Sequence, residues 1–153
     1  MRIEDNFQNH ILFVCTGNTC RSPMAVAVFN NLAEKENKKW FAISAGLATE
    51  SGLPVTFEAK QALAAAGINL EDHRSRQLDE KMMKEAQIVL TMTATQRDLL
   101  HIYHPNMAEK IFTIYEFVGL EGDIKDPYGG SLEDYQETAE ILISIMPDIL
   151  KKI

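Results

Sequence analysis

Ile11-Leu12-Phe13-Val14 is the first apolar run in the chain, and four consecutive β-prone apolar positions fit a short strand buried on both faces. From Ser22 the pattern turns helical. Ala25, Val28, Phe29, Leu32 and Ala33 fall three and four residues apart and draw one apolar stripe. Pro23 suits the first turn of that helix, where its missing N–H costs nothing. Residues 40–44 read as a second strand ended by Ala45-Gly46. A second helix is predicted over 54–66, with Val55, Ala59, Ala62, Leu63 and Ala66 inward and Gly67 as its stop. A short helix at 79–86 and a third strand at 88–90 follow. Thr93 opens a capping box with Gln96, and that helix runs to about Tyr103, ahead of Pro105. Residues 110–115 read as a fourth strand, and 119–130 as a loop rich in glycine and acidic residues. Ser131 with Asp134 caps a last long helix carrying Tyr135, Ala139, Leu142, Met146, Ile149, Leu150 and Ile153 on one stripe. Pro147 is expected to kink that helix or restart it.

Strands alternating with helices imply an α/β fold, a small doubly wound four-stranded parallel sheet with helices on both faces. Such sheets bind ligands beyond the carboxyl ends of their strands. The first strand ends at Cys15.

Length and charge narrow the reading. The 153 residues, 46% hydrophobic, make one compact domain over 1–153, in which 1–9 form a short polar N-terminal extension. The net charge of -7 argues against nucleic acid and against anionic membrane surfaces, so any phosphate must be held by a local positive site. No apolar run approaches the roughly 18 residues of a membrane span, and the leading segment lacks the basic start of a signal peptide. The expected location is therefore cytoplasmic. In a reducing compartment the two cysteines, Cys15 and Cys20, point to redox or catalytic chemistry or to plain core packing. His10, His73, His101 and His104 show no ligand spacing with them, so neither a metal nor a cofactor is expected.

The chemistry concentrates in Cys15-Thr16-Gly17-Asn18-Thr19-Cys20-Arg21-Ser22-Pro23, a strand end, a loop and a helix start. Successive backbone N–H groups in a curled loop make an anion nest, a helix N-terminus adds partial positive charge, and Arg21 offers a planar fork to phosphate oxygens. The same field favours a thiolate nucleophile at Cys15, and Ser22 can hydrogen-bond it.

Cys-x5-Arg-Ser at a strand–helix junction is the cysteine-phosphatase signature. Near the N-terminus, with Asn18 inside it and Ser22-Pro23 after it, the stretch resembles the low-molecular-weight protein tyrosine phosphatase family. The resemblance extends to Ser44-Ala45-Gly46, His73-Arg74-Ser75 and Asp126-Pro127-Tyr128-Gly129-Gly130. It implies Cys15 as the nucleophile that becomes phosphocysteine, Arg21 as the phosphate clamp, and Asp126 as general acid and then general base. Asp123, three residues earlier, competes for that role, but Pro127 stiffens Asp126 and Tyr128 follows it as a pocket wall. Asn18, Ser22, Ser44 and His73 match a network that fixes the loop. Cys20 matches a second thiol able to trap an oxidised nucleophile as a reversible disulfide.

The substrate implied is a phosphorylated protein. Phosphotyrosine members usually carry a bulky aliphatic residue at the position of Thr19, and many have two aromatics after Asp-Pro. Thr19 and the single Tyr128 followed by Gly129-Gly130 resemble the bacterial protein-arginine phosphatase branch. A hydroxyl at the pocket wall suits guanidinium N–H groups, and one aromatic can stack on a planar guanidinium. The alternatives are a phosphotyrosine phosphatase, an arsenate reductase and a non-catalytic phosphate-binding module. Arsenate reductases of this fold need further downstream cysteines, and none follows Cys20.

Overall fold

The computed structural model describes residues 9–70 and 72–153; residues 1–8 of the N-terminal extension lie outside them. Four strands, β1 (His10–Cys15), β2 (Phe41–Gly46), β3 (Ile88–Thr91) and β4 (Ile111–Thr113), form one sheet in the order β2-β1-β3-β4. All three pairings are parallel. The helices are α1 (Arg21–Lys35), α2 (Phe57–Ala64), α3 (Glu80–Glu85), α4 (Ala94–Tyr103), α5 (Ile114–Phe117) and α6 (Leu132–Lys151), with a 3-10 helix at Pro105–Lys110. This is the expected α/β fold.

The pleat of β1 sorts its side chains into two cores. Ile11, Phe13 and Cys15 pack with residues of α1, α2 and α6, whereas Leu12 and Val14 pack with Met83, Leu100 and Met107 on the other face. Every residue of β1 is buried, which explains its unbroken apolar run. The chain leaves β1 for β2 on one side and later reaches β3 on the other, so strand order reverses at β1. Cys15 therefore ends at the switch point of the sheet.

Several predicted boundaries are corrected. β2 continues through Ala45 and Gly46, because Gly46 still pairs with Cys15. The predicted helix at 54–66 shrinks to Phe57–Ala64, because extended Thr56 caps it by accepting from Ala59 N–H. Pro54 is instead bridged to Arg74, and Ala66 is exposed beyond the helix end. The predicted strand at 110–115 stops at Thr113, whose hydroxyl caps α5 in a capping box with Glu116; that local bond outcompetes the β-prone run Ile114-Tyr115. Pro147 does not restart the last helix, which is continuous from Leu132 to Lys151. The carbonyl deprived of its partner belongs to Ile143 on the exposed side, where water can satisfy it. Beyond it, Ile149 and Leu150 remain packed in the core.

Candidate active site

Cys15 is the last residue of β1 and Arg21 the first of α1, so residues 16–20 must turn within one short loop. Asn18 takes a left-handed backbone at φ 56, which asparagine tolerates better than most residues. Gly46 lies beneath: a Cβ there would stand 2.8 Å from the Thr16 carbonyl oxygen and 3.1 Å from Asn18 Cβ. Leu47 and Ala48 N–H groups tie down the Cys15 and Thr16 carbonyls at 2.9 and 3.0 Å, and Thr56 N–H holds that of Thr19 at 3.0 Å. The first turn of α1 carries no side-chain cap and no carboxylate, so its N–H groups and positive dipole end stay open to an anion.

Hydrogen-bond polarity can be followed from the loop's rim to the sulfur. Arg76 N–H donates to Asn18 Oδ1 at 2.9 Å, which fixes the amide orientation. Asn18 Nδ2 then donates to both Ser22 Oγ and Ser44 Oγ at 2.8 Å. Ser22 keeps its own proton for Cys15 Sγ, 2.9 Å away, and Asn18 N–H approaches the same sulfur at 3.3 Å. Both contacts suit a sulfur that accepts, as a thiolate does. Asn18 and Ser22 are fully buried and Ser44 nearly so.

His73 supports the loop through its backbone, with Nε2 at 2.8 Å from the Asn18 carbonyl oxygen. A carbonyl only accepts, so Nε2 carries the proton. Burial holds the His73 pKa below its usual value; the bond to Asn18 opposes this, and the charges of Arg76 and Arg74 reinforce it. The imidazole is therefore a neutral positioning group.

Arg21 is buried. Its Nη1 donates to the Ile124 carbonyl at 3.1 Å and its Nη2 lies 3.4 Å from Asp126 Oδ2. Its Nε is buried with no acceptor among the described residues, so one edge of the fork is available to a phosphate oxygen. Asp126 Oδ1 accepts Tyr128 N–H at 3.0 Å, fixing the carboxylate at the cleft while leaving it half exposed. Asp123 does other work, accepting Ala94 N–H at 2.8 Å at the start of α4. Cys20 Sγ lies 3.7 Å from Asp126 Oδ1. Burial first, then the charges of Cys15 and Asp126, push its pKa up to about 12, so at neutral pH Cys20 is a protonated donor. Both cysteines are free and buried.

A cavity of about 640 Å³ opens over the loop, with Cys15, Thr16, Gly17, Thr19, Cys20 and Arg21 along its floor. Asp126 and Tyr128 form part of its wall. Sequence reasoning missed three contributors. The sequence pattern assigns Gln96 only a helix cap. Its Oε1 does accept Met92 and Thr93 N–H groups, but its Nε2 also donates to Thr16 Oγ1 at 3.1 Å. A glutamine in a capping box directly after a buried strand was the available signal. The Arg76 N–H and the Ile124 carbonyl act through the main chain and leave no mark in residue type.

Residues 10–153 match the family model described as low molecular weight phosphotyrosine protein phosphatase. The chain belongs to this family. Within the family it is similar to protein-arginine-phosphatase of Bacillus subtilis (strain 168), 38% identical over 94% of this chain and 95% of that protein. It is also similar to protein-arginine-phosphatase of Geobacillus stearothermophilus, 40% identical over 94% of this chain and 95% of that one. A solved low molecular weight protein tyrosine phosphatase from T. tengcongensis superposes with a TM-score of 0.92. It is 46% identical and covers 95% of this chain and 99% of its own. Family membership makes this chain a hydrolase of the low-molecular-weight protein phosphatase class.

Proposed function

We propose that this phosphatase removes phosphate from phosphoarginine in proteins through a phosphocysteine intermediate. The observation that carries the chemistry is the convergence of Cys15 Sγ, the Arg21 fork and the Asp126 carboxyl on one cavity. Cys15 thiolate attacks phosphorus, forming the S–P bond as the P–N bond breaks. Protonated Asp126 delivers its proton to the departing guanidine nitrogen, and Arg21 with the loop N–H groups holds the phosphoryl oxygens as charge shifts. A water molecule then attacks phosphorus and gives its proton to Asp126. The S–P bond breaks, and the Ser22 hydroxyl receives the returning thiolate. Asn18, Ser44 and His73 position the loop and touch no reacting atom.

The choice of phosphoarginine rests on Thr19, which lines the cavity with Tyr128 as the aromatic after Asp-Pro, and on the two protein-arginine-phosphatase relatives. The tyrosine-phosphatase name of the T. tengcongensis neighbour makes phosphotyrosine the second reading. Comparing kcat/KM on matched phosphoarginine and phosphotyrosine peptides decides between them. Wild type is expected to prefer phosphoarginine and Thr19→Ile to shift toward phosphotyrosine; a wild-type preference for phosphotyrosine overturns the assignment. In Asp126→Ala, turnover is expected to fall about 10²–10⁴-fold, and an activated aryl phosphate, whose leaving group needs no proton, is expected to load Cys15 as phosphocysteine seen by mass spectrometry. The absence of both turnover in wild type and an intermediate in the variant would favour a non-catalytic module. The thiolate chemistry fits a reducing, cytoplasmic setting, and among the described residues no helix is long and apolar enough to cross a membrane. The acidic chain needs neither nucleic acid nor a membrane surface as partner.

A further inference from the structure

A second cavity adjoins the first. It measures about 1160 Å³ and shares Thr16, Ala48, Arg21 and Asp126 with the cavity over Cys15, so the two meet across the Arg21–Asp126 pair. Typical small-ligand pockets measure about 300–1,000 Å³, and the phosphorylated side chain is already accommodated above Cys15. The second cavity is a trough with room for several residues.

Its lining is chemically uneven. Leu47, Leu78, Leu99 and Tyr103 line it. Leu99 and Tyr103 lie one turn apart on α4 and are 39% and 72% exposed, a pair of large apolar side chains facing solvent beside a reactive site. Asp79 and Glu80, also in the lining, add negative charge where α3 begins. Among the described residues Glu80 pairs at the surface with Lys84 at 3.6 Å, which contributes little. Lys125 and His104 are the remaining basic side chains of the lining, and Asp123 offsets them, leaving the trough acidic.

We propose that this trough holds the polypeptide of the protein substrate flanking its phosphorylated residue, selecting an apolar residue against Leu99 and Tyr103 and a basic residue near Glu80. The proposal rests on the protein-phosphatase reading above. It follows from continuity: the trough opens off the cavity over Cys15 across Arg21 and Asp126, so chain leaving an inserted side chain on that side meets it.

The test uses the full chain and whichever phosphorylated residue wild type turns over faster. Free phosphoamino acid is compared with peptides lengthened on either side by leucine and lysine, or by serine and glutamate. The leucine–lysine peptides are expected to gain at least about tenfold in kcat/KM over the serine–glutamate ones, the affinity that one buried leucine-sized side chain supplies. Leu99→Lys and Tyr103→Ala are expected to remove that gain through KM while free phosphoamino acid stays within about twofold of wild type. Glu80→Lys tests the charge alone, on peptides that differ only in lysine or glutamate beside a constant leucine; it is expected to lose the lysine preference there, and an unchanged preference overturns the basic-residue site. Equal rates on both peptide series, or equal losses on peptide and free phosphoamino acid, overturn the trough and leave the phosphatase reading standing. Absence of turnover on every phosphorylated substrate overturns the phosphatase reading and the trough with it.

Discussion

Asn18→Asp separates the electrostatics of the loop from its shape. The carboxylate has nearly the volume of the amide, tolerates the left-handed backbone at φ 56, and still accepts Arg76 N–H. What changes is the polarity of the other arm, whose donor Nδ2 reaches Ser22 Oγ and Ser44 Oγ at 2.8 Å. An oxygen there accepts, so Ser22 turns its proton away from Cys15 Sγ, which lies 2.9 Å beyond. The new negative charge stands two hydrogen bonds from the thiolate; at about 5–6 Å and an effective dielectric constant of ~20 the repulsion is about 3 kcal/mol. Felt by the sulfur anion and by the phosphoryl group it attacks, that corresponds to roughly a hundredfold in rate, before the lost hydroxyl bond, which adds about 1.5–3 kcal/mol for a charged acceptor. The expected result is a loss of at least about 10²-fold in kcat/KM on a chromogenic aryl phosphate at neutral pH. The melting temperature should fall less than in Asn18→Ala, which strands Arg76 N–H in addition. An Asn18→Asp enzyme that folds and keeps activity within about fivefold of wild type would refute the directional network.

Gly46→Ala should push the Thr16 carbonyl, 2.8 Å from the added carbon, costing about 1–3 kcal/mol in urea unfolding and weakening inhibition by inorganic phosphate severalfold. Iodoacetamide at pH 8 should modify Cys15 and spare Cys20 in peptide mapping, because a thiol with a pKa near 12 is only about 10⁻⁴ ionised there; rapid labelling of Cys20 in folded protein contradicts this. The His73 pKa is lowered on folding, so the unfolded chain takes up its proton first as pH falls below about 6.5. Stability from His73 is therefore present above that pH and lost as pH falls toward the folded-state value. His73→Gln, which keeps an N–H donor, should flatten this slope in urea midpoints measured between pH 7.5 and 5.

What residue order determined was local and periodic. The unbroken apolar run of β1, the stripe of α1 and the capping boxes at Thr93 and Ser131 each encode burial or a bond within a few residues. Together they placed Cys15 at a strand end and Arg21 at a helix start. Where two local signals overlapped, one had to win, as Thr113 did over the strand-like residues after it. Tertiary structure decided the rest. Only folding sets Asp126 against Arg21 while Asp123 accepts the Ala94 N–H, puts His73 on the Asn18 carbonyl, and makes the capping Gln96 a tether for Thr16 as well. Those contacts join segments distant in sequence, and many use main-chain groups that every residue carries, so periodicity and capping signals do not announce them; only the motif resemblance pointed to Asp126 and His73.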